Sequence, residues 1–463
     1  MTAVDLGVDL GTTVTKVAAV ADDGTPVLDG SVATAWEERG GGRFERSPAS
    51  VVDAVEHLLA EVVAGLPAGT SVRSVGFTSM AEAGTLLDSS GAAQSPVMAW
   101  HDPRGDDQSA ALDATLAREF LSRTGLPVGH VATLFKLLWL RDEGLGLRGL
   151  QWLGAPELVV HRLGGRRVAE RSLLGRTGLL DVHTDGWWRP GLDLLGVGAD
   201  LLPEPVGAGA PVGTVRGDHP VPALRGAVLT VAGHDHAVAA AATGCGAPGS
   251  ALDSFGTAEA YLAAADHVPD PDVVGRLSAA GISVYPHVVR GSTALIGGTR
   301  TGLVLKRVQQ VLGAESEPAR SALDAATLLL APGDTAEVRV TGYGMEDHEV
   351  GVHLGSEHHT PAHVWRAALD GGTDRGRALL ATLRDAGVPV ERLVVAGGWT
   401  RMASVLAARR DLAPTVEVSD VAQPGTWGAA RFGAWAATHG AAAAAKHRDP
   451  RPPAGWFDRP HAG

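Results

Sequence analysis

Apolar and polar positions alternate from the start of the chain. Asp5 to Val20 reads as two alternating runs joined by Gly11-Thr12-Thr13, which predicts a β-hairpin. Val27 to Trp36 predicts a third strand, and the Gly- and charge-rich Arg39 to Arg46 a loop. Ser47-Pro48 supplies an N-cap and a first-turn proline, and Val51, Val55, Leu58, Leu59, Val62, Val63 and Leu66 follow at helical spacing. Val72 to Ser79 then returns to strand. Helical patterns dominate from about Gln108 to Arg171. Val228 to Gly233 is an apolar run expected to be a buried strand, with an Ala-rich helix over 237–243. Gly297-Gly298-Thr299 precedes a helix predicted to carry Val304, Val308 and Val311 on one face. Leu393 to Ala396, Gly397-Gly398 and the residues after them read as strand, turn and helix, and 416–430 as a closing strand and helix. Strands interleaved with helices define an α/β fold.

The first hairpin turn has a chemistry of its own. Within five residues it offers backbone N–H groups, two hydroxyls and the Asp9 carboxylate. Gly11 lets a bulky anion approach the main chain, the N–H groups can hold phosphate oxygens, and Asp9 can hold hydrated magnesium. An ordinary hairpin with a Gly turn would look the same locally. The pattern occurs twice, however: Ser254 to Leu262 aligns with Asp9 to Val17, each with Gly-Thr-small between alternating runs. Two copies of one hairpin suggest a duplicated fold that grips a nucleotide with two turns. The sequence has no G-x-x-x-x-G-K-[ST] motif. Gly144 to Gly149 matches G-x-G-x-x-G but follows a helical run, which rules out a dinucleotide fingerprint.

At 463 residues the chain suits two domains, and 45% hydrophobic with 20% charged residues is a globular composition. A net charge of −13 argues against a nucleic-acid partner. One cysteine, Cys245, excludes an internal disulfide and is expected to be buried among small residues. No stretch reaches the 18 or so apolar residues of a membrane span. The expectation is a soluble, cytoplasmic protein.

With both Gly-Thr turns, Trp100-His101-Asp102-Pro103-Arg104, Gly233-His234-Asp235-His236 and Ala396-Gly397-Gly398 in place, the chain resembles carbohydrate kinases of the FGGY family, in the actin/hexokinase/heat-shock-chaperone ATPase superfamily. The resemblance runs from the first hairpin to about residue 440. It implies two actin-like (ribonuclease H-like) α/β domains with a cleft between them: 1–227 binding the sugar, 228–440 binding the nucleotide, and 441–463 a peripheral tail. It also implies ATP and Mg2+, with a small sugar or polyol as acceptor; a homodimer is left open.

Site residues follow the motifs. The family's base lies at the Asp of G-x-D-x, so Asp235 is expected to be catalytic, although an Asp there also suits a helix N-cap. Glu82, just past a strand end, matches a glycerol-kinase Glu where xylulokinases have His. Trp100 offers a face to C–H groups, Asp102 an acceptor and Arg104 a donor or a brace for Asp102. His236 departs from the Asn, Gln or Thr commoner in the family and joins the substrate-binding set. Gly11, Thr12, Thr13, Lys16, Gly256, Thr257, Gly298, Gly397, Gly398 and Met402 are expected to contact ATP, and Asp9 the metal. Trp399 replaces a small residue beside the adenosine glycines. His234 and His236 lack a third ligand at a usual metal spacing, and His348, His353, His358, His359 and His363 are irregularly spaced. A pentulose such as xylulose or ribulose is the first substrate expected. Glycerol or another polyol is the alternative, and a non-catalytic nucleotide sensor is the rival from another class.

Overall fold

The computed structural model describes residues 3–256, 258–331, 333–347, 349–440 and 451–457. It forms two units. The first takes Met1–Ala247, Asp266–Ala294 and Gln423–Gly463, and the second Pro248–Ala265 and Leu295–Ala422.

In the first unit the hairpin forms as its alternation predicts: β1 (Ala3–Leu10) and β2 (Val14–Ala21) pair antiparallel, Asp9 opposite Lys16. β3 (Pro26–Ala33) continues the sheet beyond β2. On the other side β4 (Ser71–Ser79) runs parallel to β1, and β5 (Val228–His234) parallel to β4. Helix α1 (Pro48–Ala64) starts where Ser47 accepts the Ser50 N–H, and buries Val51, Val55, Leu58, Leu59 and Val62. Helix α2 (Asp235–Ala242) leaves the end of β5. The helix Thr133–Asp142 precedes the Gly144 to Gly149 motif, as the pattern requires.

In the second unit β6 (Gly249–Phe255) and β7 (Glu259–Ala265) form the second antiparallel hairpin. β8 (Thr293–Thr299) lies beside β7, and β9 (Val390–Ala396) runs parallel to β6, with β10 (Thr415–Val418) parallel to β9. Each unit therefore has a hairpin whose first strand pairs parallel with a later one, the topological trace of the duplication. Helix α3 (Thr301–Val311) buries Val304 and Val308, but Val311, on the same face at the last position of the helix, is 83% exposed. Helix α4 (Pro361–Asp385) carries a capping box between Thr360 and His363, which engages one cluster histidine. His348 lies outside the described residues. The short helix α5 (Ala403–Arg409) follows the Gly397-Gly398 turn.

Helix α6 (Pro424–Trp435) returns to the first sheet and crosses β1 and β4 at backbone distance. A Cβ on Gly7 would stand 1.8 Å from the Thr426 carbonyl oxygen, and one on Gly76 2.0 Å from that of Ala429. These strand glycines seat the helix whose N-terminus faces the first hairpin turn. Composition predicts a peripheral tail beyond Ala441. Of it, 451–457 instead packs back: Phe457 is buried against Phe432, and the Trp456 indole donates to the Arg431 carbonyl at 3.0 Å.

Candidate active site

Three neighbouring parallel strands of the first unit end at one level. Asp9 pairs with Thr78, Leu10 with Ser79, and Ser79 with His234. The residues delivered there are Asp9 at the end of β1, Glu82 just past β4, and Asp235 just past β5, the strand-end position where open α/β sheets place ligand groups.

The first turn is held from several sides. Thr34 Oγ1 donates to the Gly11 carbonyl, Trp36 Nε1 to the Thr12 carbonyl at 2.7 Å, and Trp100 Nε1 to Thr12 Oγ1 at 2.9 Å. Thr13 is exposed. Lys16 Nζ donates to Gln423 Oε1, the residue that starts α6. Asp9 Oδ2 lies where a Cβ on Gly425 would meet it at 2.6 Å, and Oδ1 is buried without a hydrogen-bond partner among the described residues. Burial pushes the Asp9 carboxyl up to about 7, with Asp235 adding to the rise and Lys16 and His236 opposing it. A buried, unsatisfied carboxylate oxygen beside a second carboxylate suits a hard divalent cation, which would supply the missing positive charge.

Glu82 has φ +61°, a left-handed backbone uncommon for a residue with a Cβ. Its Oε1 accepts from Arg176 Nε at 2.6 Å, while Arg176 Nη1 is buried without a hydrogen-bond partner among the described residues. Burial raises the Glu82 carboxyl, and Arg176 is the main opposing influence. The Arg176 guanidinium lies over the Tyr285 ring, 5.4 Å from its centre. Sequence reasoning missed both Arg176 and Tyr285. The available signal was a cation inside the apolar run Leu173 to Leu180, where burial demands a partner.

Asp235 is the first residue of α2. The His236 N–H (2.7 Å), His236 Nδ1 (2.8 Å) and His234 Nε2 (3.2 Å) all meet its Oδ1. His234 Nδ1 in turn meets the Tyr285 hydroxyl at 2.7 Å. Asp235 thus supplies a third potential ligand atom beside the two imidazoles, all within 4.8 Å of one another. These close approaches are nevertheless those of imidazole donors on a carboxylate. Burial would raise the Asp235 carboxyl, but His236, and then His234, outweigh it and hold it at about 2.

Of the two roles expected of Arg104, the structure shows the brace for Asp102, and Asp102, expected to accept from sugar hydroxyls, is occupied by that contact. Asp102 is fully buried and accepts from the Phe44 N–H and from Arg104 N, Nε and Nη2. Arg104 Nη1 reaches Glu45 at 2.7 Å. Their polar atoms are engaged in fixing the segment that carries Trp100, half-buried beside the turn. Lys136, fully buried, donates to the carbonyls of Trp100 and His130, and burial lowers its ammonium to about 8.

In the second unit, Ser254 pairs with Ala396, so Gly256 and Gly397 leave adjacent strands at the same end. Gly397 has φ +123°, and a Cβ there would lie 2.2 Å from the Phe255 carbonyl oxygen, so the two turns touch backbone to backbone. Gly398 is exposed with open space before it, and Gly298 lies near Met345. Met402 is buried in the core of this unit. Trp399 Nε1 donates to the Gly256 carbonyl at 3.0 Å and its ring packs near Phe255 and Trp365, so it braces the second turn. Thr257 lies outside the described residues.

Residues 4–242 match the model of the FGGY family of carbohydrate kinases, N-terminal domain. The L-fuculokinase of Salmonella typhi is 27% identical over 404 residues, 82% of each chain. The xylulose kinase structure from Rhodospirillum rubrum has a TM-score of 0.81 at 25% identity, covering 96% of this chain and 90% of that one. The Plasmodium falciparum glycerol kinase structure with ADP has a TM-score of 0.80 at 19% identity, covering 93% and 89%. The chain belongs to the FGGY family of carbohydrate kinases, with the family's two-domain actin-like fold. It is a phosphotransferase that uses ATP to phosphorylate a sugar or polyol. Among the described residues no helix is long and apolar enough to cross a membrane.

Proposed function

We propose that this kinase phosphorylates a hydroxyl of a small ketose, with Asp235 as general base. The observation that carries the reading is the arrival of Asp9, Glu82 with Arg176, and Asp235 at the ends of three adjacent parallel strands. Phosphoryl transfer to an alcohol needs an in-line hydroxyl, a carboxylate for its proton and neutralisation of the phosphoryl oxygens. Here the acceptor oxygen bonds to the γ-phosphorus as the bond from that phosphorus to the β–γ bridging oxygen breaks. The hydroxyl proton passes to Asp235, and ADP leaves.

Glu82 accepts from substrate hydroxyls, Arg176 donates through its unpartnered Nη1, and Trp100 offers its ring to C–H groups. Thr12, Thr13, Lys16 and the Gly11 backbone hold phosphate oxygens, as do Gly256 and Gly298, and Gly397-Gly398 takes the adenosine. Asp9 would hold Mg2+, which supplies charge neutralisation at the phosphates when bound. A ketose is favoured because the relatives named L-fuculokinase and xylulose kinase act on sugars of that class.

The test is ADP release on a panel of ketopentoses, 6-deoxyketohexoses, gluconate and glycerol, with Asp235→Asn as control. The expected result is fastest turnover on a ketose and a loss of about a hundredfold or more in Asp235→Asn. Preference for glycerol or gluconate would overturn the ketose assignment, and undiminished Asp235→Asn turnover would overturn the base.

A further inference from the structure

Asp235 has an asymmetric carboxylate. Two donors of His236, its backbone N–H and Nδ1, hydrogen-bond to Oδ1, and His234 Nε2 lies 3.2 Å from the same oxygen. Among the described residues nothing donates to Oδ2. The tautomer of His234 follows from its neighbours. Its Nε2 faces a carboxylate oxygen and must carry the proton there, so Nδ1 accepts from the Tyr285 hydroxyl. His234 is kept neutral by burial, which lowers it to about 3. The backbone beneath is held as well: the His234 N–H donates to Ser172 Oγ at 2.9 Å, and that hydroxyl donates to Glu170 Oε2 at 2.5 Å.

We propose that His236 is a positioning residue for the base: through its two donors it locks the Asp235 side chain so that Oδ2 alone is left to receive the acceptor's proton. The inference rests on the assignment of Asp235 as base. A carboxylate at the first position of a helix without a second, side-chain partner keeps its rotational freedom. With Oδ1 engaged by both His236 donors, rotation breaks two hydrogen bonds at once and pulls the oxygen away from His234 Nε2. His236 also keeps the carboxylate ionised, and the pairing raises its own imidazole against the effect of burial. The other charged or titratable groups facing this pair are Asp9 from β1, Glu82 from the turn after β4, Arg176, His234 and Tyr285.

The test uses the full-length protein with ATP, magnesium and its best acceptor from the panel. His236→Ala is expected to lower kcat about tenfold while changing the acceptor KM less, and to move the acidic limb of the pH profile to higher pH than in the wild type. The sign follows from removing an imidazole that favours the ionised carboxylate, which raises the Asp235 pKa and so loses the base at higher pH. His236→Asn, whose amide nitrogen takes the place of Nδ1, is expected to recover most of kcat. In an Asp235→Asn background, His236→Ala is expected to have no further effect, because it acts only through that carboxylate. Wild-type kcat and pH profile in His236→Ala would overturn the proposal, as would an equal loss in the Asp235→Asn background. Full activity of Asp235→Asn would instead remove the base itself, so the two failures are distinct.

Discussion

The indole N–H of Trp100 donates to the hydroxyl of Thr12, 88 residues earlier, at 2.9 Å. A ring expected to face a sugar is thereby joined to the turn expected to face phosphate. Trp36 holds the carbonyl of the same threonine, so two indoles fix one residue. Trp100→Phe keeps the apolar face and deletes only the donor. The loss of about 1 kcal/mol from one hydrogen bond corresponds to about a fivefold rise in the KM for ATP. Steady-state kinetics with varied ATP checks this, and an unchanged KM would separate Trp100 from the phosphate turn.

Gly11 is required for space. A Cβ at this position would lie 2.6 Å from the Val14 carbonyl oxygen, a backbone atom that cannot swing aside. Gly11→Val is expected to reshape the turn and abolish ATP binding in calorimetry. The unfolding midpoint should fall only slightly, since the strands on either side keep their ladder. Wild-type affinity would remove the turn from the nucleotide site.

Much of this was legible in the chain because the signals are local. The two hairpins, helix α1 with its Ser47 cap and the buried run before Asp235 each announce themselves within ten to twenty residues. Asp102 and Arg104 were harder. Their spacing suggests a ligand site, but the backbone N–H of Phe44 and the carboxylate of Glu45 arrive from a distant loop and engage them first. Arg176 and Tyr285 carry no motif; only burial of a cation against Glu82 reveals them. Trp399 stands beside the adenosine glycines in sequence, and nothing local shows that its donor serves a carbonyl 143 residues away. Side-chain partners set by tertiary contact are invisible to periodicity.

Glu157 makes stability depend on pH. Its side chain is buried, Oε1 accepts the Glu170 N–H, and Oε2 has no hydrogen-bond partner among the described residues. Burial, aided by the nearby Glu170 carboxyl, pushes it from 4.5 to about 8. The folded state therefore keeps a proton that the unfolded chain has released. Stability from this group is complete below about pH 4.5 and is lost as pH rises towards 8, at about 1.4 kcal/mol per pH unit. Glu157→Gln cannot ionise. Denaturant unfolding of the two proteins should give a stability difference that grows in favour of the variant from pH 5 to pH 8. A difference independent of pH would show that Glu157 is not protonated in the fold.

Arg409 is fully buried behind the second hairpin, between Asp253 on β6 and Glu259 on β7. It reaches Glu259 Oε1 at 2.6 Å, donates to Thr373, and lies over the Phe255 ring, 4.4 Å from its centre. One guanidinium thus faces two carboxylates, and burial together with Glu259 pushes Asp253 well above its ordinary value. Replacing Arg409 by Met keeps much of the apolar stem but leaves both acids without a cation in the interior. Breaking a buried pair from one side costs about 3–5 kcal/mol, far more than an exposed pair is worth. Arg409→Met should therefore destabilise the protein by that amount at pH 7, measured by denaturant unfolding. A double change that also removes the charge, Arg409→Met with Glu259→Gln, should recover part of the loss. Arg409→Met as stable as the wild type would mean that packing, and not charge balance, holds the base of the second turn.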